Sequence, residues 1–242
     1  VSQNIQLTTL HCSSNSIQVL DLLTNSNLLY LNCSFNLLNN LDLSTLNNLI
    51  FVTCNNNSLT SLSFSPADTV LSEIYCSYNQ LTNLTLSGAI NLYDLDCSHN
   101  QLSTLNLTSI AQINYLTCSY NQITDLQLPV FYNLHCESNA LTSLDFSNNN
   151  FLTELNCSNN NLSNLNIQNG NNSSLYIFDA TLNPLLSCVQ VDDTTFMQNN
   201  WSSAIDTVAY YSLSCTTCIV NIPDTNFKTA LLANLAINTN GN

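Results

Sequence analysis

Apolar and polar positions repeat along this chain with a period just above twenty residues. The repeating phrase is Leu-x-x-Leu-x-Cys-Ser-x-Asn-x-Leu, seen as Leu28, Leu31, Cys33, Ser34, Asn36 and Leu38. It returns around Cys54, Cys76, Cys97, Cys118, Cys136 and Cys157, with a degenerate copy at Cys12 and a last one carrying Ala180 in place of the thiol. Successive steps are 21, 21, 22, 21, 21, 18, 21 and 23 residues. A fixed period of this size marks a chain wound into stacked coils, each burying the apolar face of the next. The spacing predicts a right-handed β-solenoid of nine coils spanning residues 1–183, followed by a C-terminal cap over 184–218.

Within one unit, apolar residues sit five and two positions before the cysteine and five, eight and ten after it, as at Leu92, Leu95, Leu102, Leu105 and Leu107. The alternation up to Cys97 predicts a short strand, paired in parallel with its neighbours, that points the thiol inward with Leu95. Leu102, Leu105 and Leu107 predict a second extended segment on the opposite side, since a coil this short has little room for a helix. An asparagine column stands three residues after each cysteine: Asn15, Asn36, Asn57, Asn79, Asn100, Asn121, Asn139, Asn160 and Asn183. A buried amide there can satisfy turn groups of adjacent coils.

Charge narrows the function. There is one basic residue, Lys228, against 15 acidic ones, and no arginine. Phosphate backbones and anionic lipid headgroups both need basic side chains, so nucleic acid and lipid surfaces are excluded as partners. No run of 18 apolar residues exists to enter a membrane. Val1 reads as a processed or truncated start. Eight cysteines fall at one inward position and read as a buried, reduced thiol ladder acting as small hydrophobes; a zinc site or chain of disulfides is the alternative. Cys188, Cys215 and Cys218 stand outside the ladder and supply one disulfide, with Cys188–Cys215 favoured and pairing through Cys218 left open.

These motifs resemble the bacterial leucine-rich repeat class with 21 or 22 residues per unit, similar to the cysteine-containing, internalin-like arrays of surface proteins. The resemblance covers residues 5–187 and implies adhesion or recognition outside the cell, hence an extracellular or cell-surface location. The stretch from Pro184 to Cys218, with the single tryptophan Trp201, resembles the C-terminal cap of arrays exported by the type IX route. Trp201 is expected to cover the last coil. Ile222–Leu232, inside the 219–242 segment, resembles the N-terminal cap of a following array, with Asp224 or Thr225 as N-cap and Phe227 and Leu231 on one apolar face. Asn238–Asn242 resembles the start of a calcium loop. Asp68-Thr69, Asp193-Thr194 and Asp206-Thr207 resemble the O-glycosylation signal of the same group, marking Thr69, Thr194 and Thr207.

Outward positions one and three before the cysteine, and one and two after it, should form the concave face. They carry Tyr30, Phe35, Phe51, Tyr75, Tyr78, His99, Tyr115 and Tyr120, which suit stacking on a sugar or anchoring a protein; simple strand packing is the competing reading. Glu73, Asp94 and Asp96 could hold calcium or meet a basic partner, a solvated acidic patch being the simpler reading. His11, His99 and His135 are too far apart, at about 4.8 Å per strand, to share a metal. Neither a cofactor nor a resident metal is expected. Asp96, Ser98 and His99 lack the arrangement of a hydrolase triad, so no catalytic residue is assigned. Two functions remain: a structural or adhesive segment of a long surface protein, able to join further copies head to tail, or a discrete module binding a protein or glycan on its aromatic stripe. In the first, residues 219–242 would begin a cap for the next copy, the chain's own first coil lying roughly 40 Å away at about 4.8 Å per coil.

Overall fold

The structure, a computed structural model, describes residues 3–215. Nine short parallel strands stack side by side into the concave sheet. They are Thr9–His11, Tyr30–Asn32, Phe51–Thr53, Glu73–Tyr75, Asp94–Asp96, Gln112–Thr117, Val130–His135, Glu154–Asn156 and Ile177–Asp179. Each ends one residue before the ladder position. Register is uniform, with Leu31 opposite both Leu10 and Val52, and Ile74 opposite Leu95. The residue two before each ladder position therefore enters one column, buried in every coil after the first, and the residues on either side of it point to the other face.

The return limbs form shorter sheets. Asn40–Leu43 pairs with Ser61–Phe64, and Thr104–Asn106 with Asp125–Gln127. Ser143–Asp145, Asn164–Asn166, Cys188–Gln190 and Tyr210–Ser212 make a four-stranded sheet. Two breaks have local causes. The coil of Cys76 brings Gly88 against the preceding limb, where any Cβ would lie 2.4 Å from the Ser65 carbonyl oxygen. In the 18-residue coil after Cys118, Pro129 has no N–H to donate, and the shortened limb runs directly into Val130–His135. There a cleft of about 430 Å³ opens, lined by Leu126, Pro129, Phe131, Leu144 and Phe146.

The asparagine column links the coils. The Asn100 Nδ2 donates to the carbonyls of Cys97 (3.1 Å), Ser98 (3.1 Å) and, in the preceding coil, Cys76 (3.0 Å). Its Oδ1 accepts from the Leu81 N–H at 2.9 Å. The same pattern recurs from Asn36 to Asn183. Beside it, the thiols of Cys33, Cys54, Cys76, Cys97, Cys118, Cys136 and Cys157 are buried and unoxidised. Burial pushes the Cys33 thiol up to about 12 and those of Cys54, Cys76, Cys97 and Cys136 well above the ordinary range. Such thiols act as small apolar fillers.

At the C-terminal end, the chain leaves the concave sheet but continues the rear one. The Asp206 carboxylate accepts from the Leu182 and Asn183 N–H groups at 2.9 and 2.7 Å, and Ala180 N–H donates to the Ala204 carbonyl at 2.7 Å. Helix Thr194–Trp201 is capped by Asp193, which accepts from Thr195 and Phe196. Trp201 lies edge-on to Phe178 of the last concave strand, ring centres 6.2 Å apart, and so covers the final coil. A disulfide joins Cys188 to Cys215. At the opposite end, Leu7, Leu10, Cys12, Ile17 and Leu20 are only partly buried. Cys218 and the sequences read as a following cap and a calcium-loop start lie outside the described residues.

Two measurements test this organisation. Native-state thiol titration at pH 8 should leave Cys33 to Cys157 unmodified while Cys12 reacts slowly; rapid reaction of most of the ladder would refute its burial. Asn100→Ala should lower stability by about 3 kcal/mol in urea unfolding, because buried turn groups lose partners at roughly 1–3 kcal/mol each. Asn15→Ala, on the exposed first coil, should cost about 0.5 kcal/mol or less.

Candidate functional site

The site is built at the turn that follows each concave strand. Two residues after the ladder position, the backbone is left-handed in every coil: Ser14, Phe35, Asn56, Tyr78, His99, Tyr120, Ser138, Asn159 and Leu182 have φ between 52° and 58°. For a bulky L-residue this conformation costs about 1 kcal/mol or more. Hydrogen bonding to the next coil enforces it: the Tyr78 N–H donates to the Ser98 carbonyl, His99 to Ser119 and Tyr120 to Glu137. Identical backbone geometry aims successive side chains alike.

Three consecutive coils carry rings there, and the rings stack. Tyr78 and His99 are 4.0 Å apart with planes 12° from parallel; His99 and Tyr120 are 4.3 Å apart at 8°. Tyr78 and Tyr120 remain 53% and 51% exposed. Phe35 is exposed but separated from this stack by Asn56. The column from Tyr78 to Tyr120 is thus a rigid aromatic rail along the solenoid axis.

The strand positions behave differently. Phe51 and Tyr75 are half-buried against each other, ring centres 5.7 Å apart. The Tyr75 hydroxyl lies 2.7 Å from Asp94 and 3.2 Å from Glu73. Glu73 and Asp94 are direct register partners. Burial, with the charges of Glu73 and Asp96 adding to it, raises the Asp94 carboxyl above its usual range, while the bond from Tyr75 pulls the other way. Tyr30 and Tyr115 stand exposed, Tyr115 edge-on to Tyr93 at 5.9 Å.

A second polar group lies two coils further on. The His135 Nε2 is 3.1 Å from Glu154, its Nδ1 is 4.0 Å from Glu137, and the Tyr176 hydroxyl also donates to Glu154. Glu137 Oε2 is buried without a hydrogen-bond partner. Sequence reasoning missed Glu137, Glu154 and Tyr176. A signal existed for Glu137: it breaks a column otherwise filled by Ser13, Ser34, Asn55, Ser77, Ser98, Ser119, Ser158 and Thr181.

One expectation is corrected. The residue directly after the cysteine does not face outward: Ser34, Ser77, Ser98, Ser119 and Ser158 are buried. The strand ends before the cysteine, so the turn tucks this side chain under its neighbours, as in the Ser34–Thr53 hydroxyl contact at 2.8 Å. Ser98 donates to Asp96 at 2.6 Å while the His99 ring sits between two tyrosines, so these three residues do not form a relay. Among the described residues no group of His, Cys, Asp and Glu is arranged to hold a metal ion, and no helix is long and apolar enough to cross a membrane.

No protein-family model and no curated protein matches the sequence. Among solved structures, the functional domain of InlJ from Listeria monocytogenes, which includes a cysteine ladder, is 31% identical over 78% of this chain, with a TM-score of 0.56. The chain is an internalin-like leucine-rich repeat protein. It spans 49% of the InlJ structure. The internalin InlF from Listeria monocytogenes is 19% identical (87% of this chain, 70% of that one, TM-score 0.55). The leucine-rich repeat domain of APL1 is 20% identical (76% and 61%, TM-score 0.53). These two share the fold alone.

The internalin-like array also gives each Asp-Thr pair a structural duty. Asp193 caps the helix, Asp206 clamps the last coil, and Asp68 accepts from Val70 N–H at 3.4 Å. Thr69 and Thr207 are exposed and Thr194 is half-buried. Asp68 is 1% exposed, with Oδ2 unpartnered, and burial lifts its carboxyl to about 6 against the pull of backbone donors. Its folded pKa exceeds the unfolded value near 3.9, so the native state binds the extra proton and loses stability as pH rises from about 4 to 6. Asp68→Asn should therefore be more stable than the parent at pH 7, with the difference shrinking by pH 4.5 in urea unfolding. A constant difference would show that burial does not govern this carboxyl.

Proposed function

We propose that this chain is a non-enzymatic recognition module, acting outside the cell or on its surface, that binds a protein or glycan partner along its concave face. The observation that carries this reading is the stacked rail of Tyr78, His99 and Tyr120. A spacer has no use for bulky aromatic residues held half-exposed in a costly left-handed conformation; a binding surface does, because rigid rings offer contact area with little entropy to lose. The likeness to the InlJ structure supports a recognition or adhesion role. Tyr75 is tied to carboxylates and Phe51, which makes it a support of the face, with Tyr78 and Tyr120 as its anchors. Phe35, Phe51, Tyr30, Tyr115 and Asp96 complete the candidate surface. Glycans on Thr69 and Thr207 would project from exposed positions.

The recognition reading is tested by Tyr78→Ala with Tyr120→Ala, screened with the parent on glycan arrays and against candidate surface proteins. The pair should weaken binding by about tenfold or more, the loss of two anchor side chains at roughly 1 kcal/mol each, with unchanged unfolding. A partner bound equally by both forms would remove the rail from the function.

A further inference from the structure

The concave face combines an aromatic rail with carboxylates whose only basic neighbour among the described residues is His135, beside Glu137 and Glu154. Of the carboxylates, Asp21, Asp42 and Asp145 accept from their own turns, Asp68, Asp192, Asp193 and Asp206 from backbone donors at the limbs and cap, and Asp96 and Asp179 from the hydroxyl residues that follow. Asp125 holds the Gln127 amide on the opposite side. Glu73, Asp94, Glu137 and Glu154 have no backbone duty; Glu73 and Asp94 lie in the coils of Tyr78 and His99, Glu137 in the coil after that of Tyr120, and Glu154 one coil further. The only three glutamates of the chain are among them. The sole lysine, Lys228, is outside the described residues, and the chain has no arginine.

The arrangement has two ends. Tyr78 turns one ring face to His99 and the other toward the coil of Asn56; Tyr120 likewise leaves one face toward the coil of Ser138. Asn56 and Ser138 repeat the same backbone geometry without a ring, so the stack of rings stops at these two residues. Glu73 lies in the coil of Tyr78 and Asp94 in that of His99, each at the start of its strand, five residues before the rail position. Glu137, one residue before Ser138, and Glu154 flank the second. Facing carboxylates on paired strands repel, and a neutral ligand leaves that repulsion in place, whereas a cation relieves it.

We propose that this face docks an arginine-rich segment of a partner protein, with some guanidinium groups extending the Tyr78–His99–Tyr120 stack at its two ends and others pairing with Glu73 and Asp94 or with Glu137 and Glu154. This rests on the recognition reading and narrows the partner class. Guanidinium is planar, stacks on aromatic faces and meets carboxylates in two parallel hydrogen bonds, whereas an ammonium has neither property. The discrimination should therefore be between arginine and lysine, not merely between cation and neutral.

Fluorescence anisotropy with a labelled octapeptide alternating Arg and Ser, and its Lys counterpart, tests this at 150 mM salt. The Arg peptide should bind about fivefold tighter than the Lys peptide, the worth of roughly 1 kcal/mol of stacking. Tyr78→Ala with Tyr120→Ala should erase that preference while unfolding is unchanged. Glu73→Gln with Asp94→Asn should weaken the Arg peptide about tenfold, as expected for desolvated charge pairs. Asp21→Asn with Asp125→Asn, the same change of net charge on the opposite side, should alter it less than about twofold. Equal affinity for both peptides, or equal effects of the two charge pairs, would overturn the proposal in favour of unspecific charge attraction. A neutral glycan that binds through Tyr78 and Tyr120 while the Arg peptide does not would overturn it too, yet leave the recognition reading standing. Should no partner depend on those tyrosines, both readings fail together.

Discussion

One amide closes each coil to the next. In a solenoid every turn must bury carbonyls and N–H groups that no strand partner reaches, and each such group left bare costs roughly 1–3 kcal/mol. The asparagine three residues after the ladder position resolves this with a single side chain: its Nδ2 binds carbonyls of its own and the preceding coil, and its Oδ1 takes the preceding coil's N–H. Asn is suited to this because it is both donor and acceptor. Asp would lack the donor, and Gln would not fit the same distance. The cysteine beside it must then be small and apolar, which explains why Ala180 can replace it in the last coil.

This bridge fixes the height and rotation of every coil, and the binding face follows from that. Because the turn is locked between two asparagines, the residue before each is forced left-handed even when it is Tyr, Phe or Leu. Strain that would be intolerable at one isolated site becomes a repeated, over-determined feature. Its consequence is alignment: rings in neighbouring coils have no freedom to splay apart and stack at about 4 Å. The chain spends conformational energy on an ordered rail, which is the profile of a surface prepared to meet a partner.

The distribution of charge follows the same logic. Aspartates are used where a short carboxylate can cap a turn or a helix, and the structure consumes most of them in that way. Of the glutamates, Glu73 and Glu154 stand on concave strands and Glu137 in the turn that follows one. With so few ionic groups, the bulk of the surface is kept wet by Asn, Ser and Thr. The acidic patch on the concave face stands out against that background and gives the face an electrostatic identity that the aromatic column alone would lack.

The amino-acid sequence by itself determined the repeat, the strand before each cysteine, the second extended limb, the inward thiols and the asparagine bridges. All of these depend on local period and on side-chain chemistry repeated in every unit, so each coil restates the same instruction. Tertiary structure alone decided the rest. The left-handed turn was invisible because none of its residues is glycine; only the hydrogen bonds from adjacent coils impose it. The burial of the serine after each cysteine came from where the strand stops, and the Glu154, His135 and Glu137 group was assembled from different coils by register. Whether Tyr78, His99 and Tyr120 were separate aromatics or one stack depended on a spacing of about 4 Å between turns, a quantity that exists only once the coils are laid on one another.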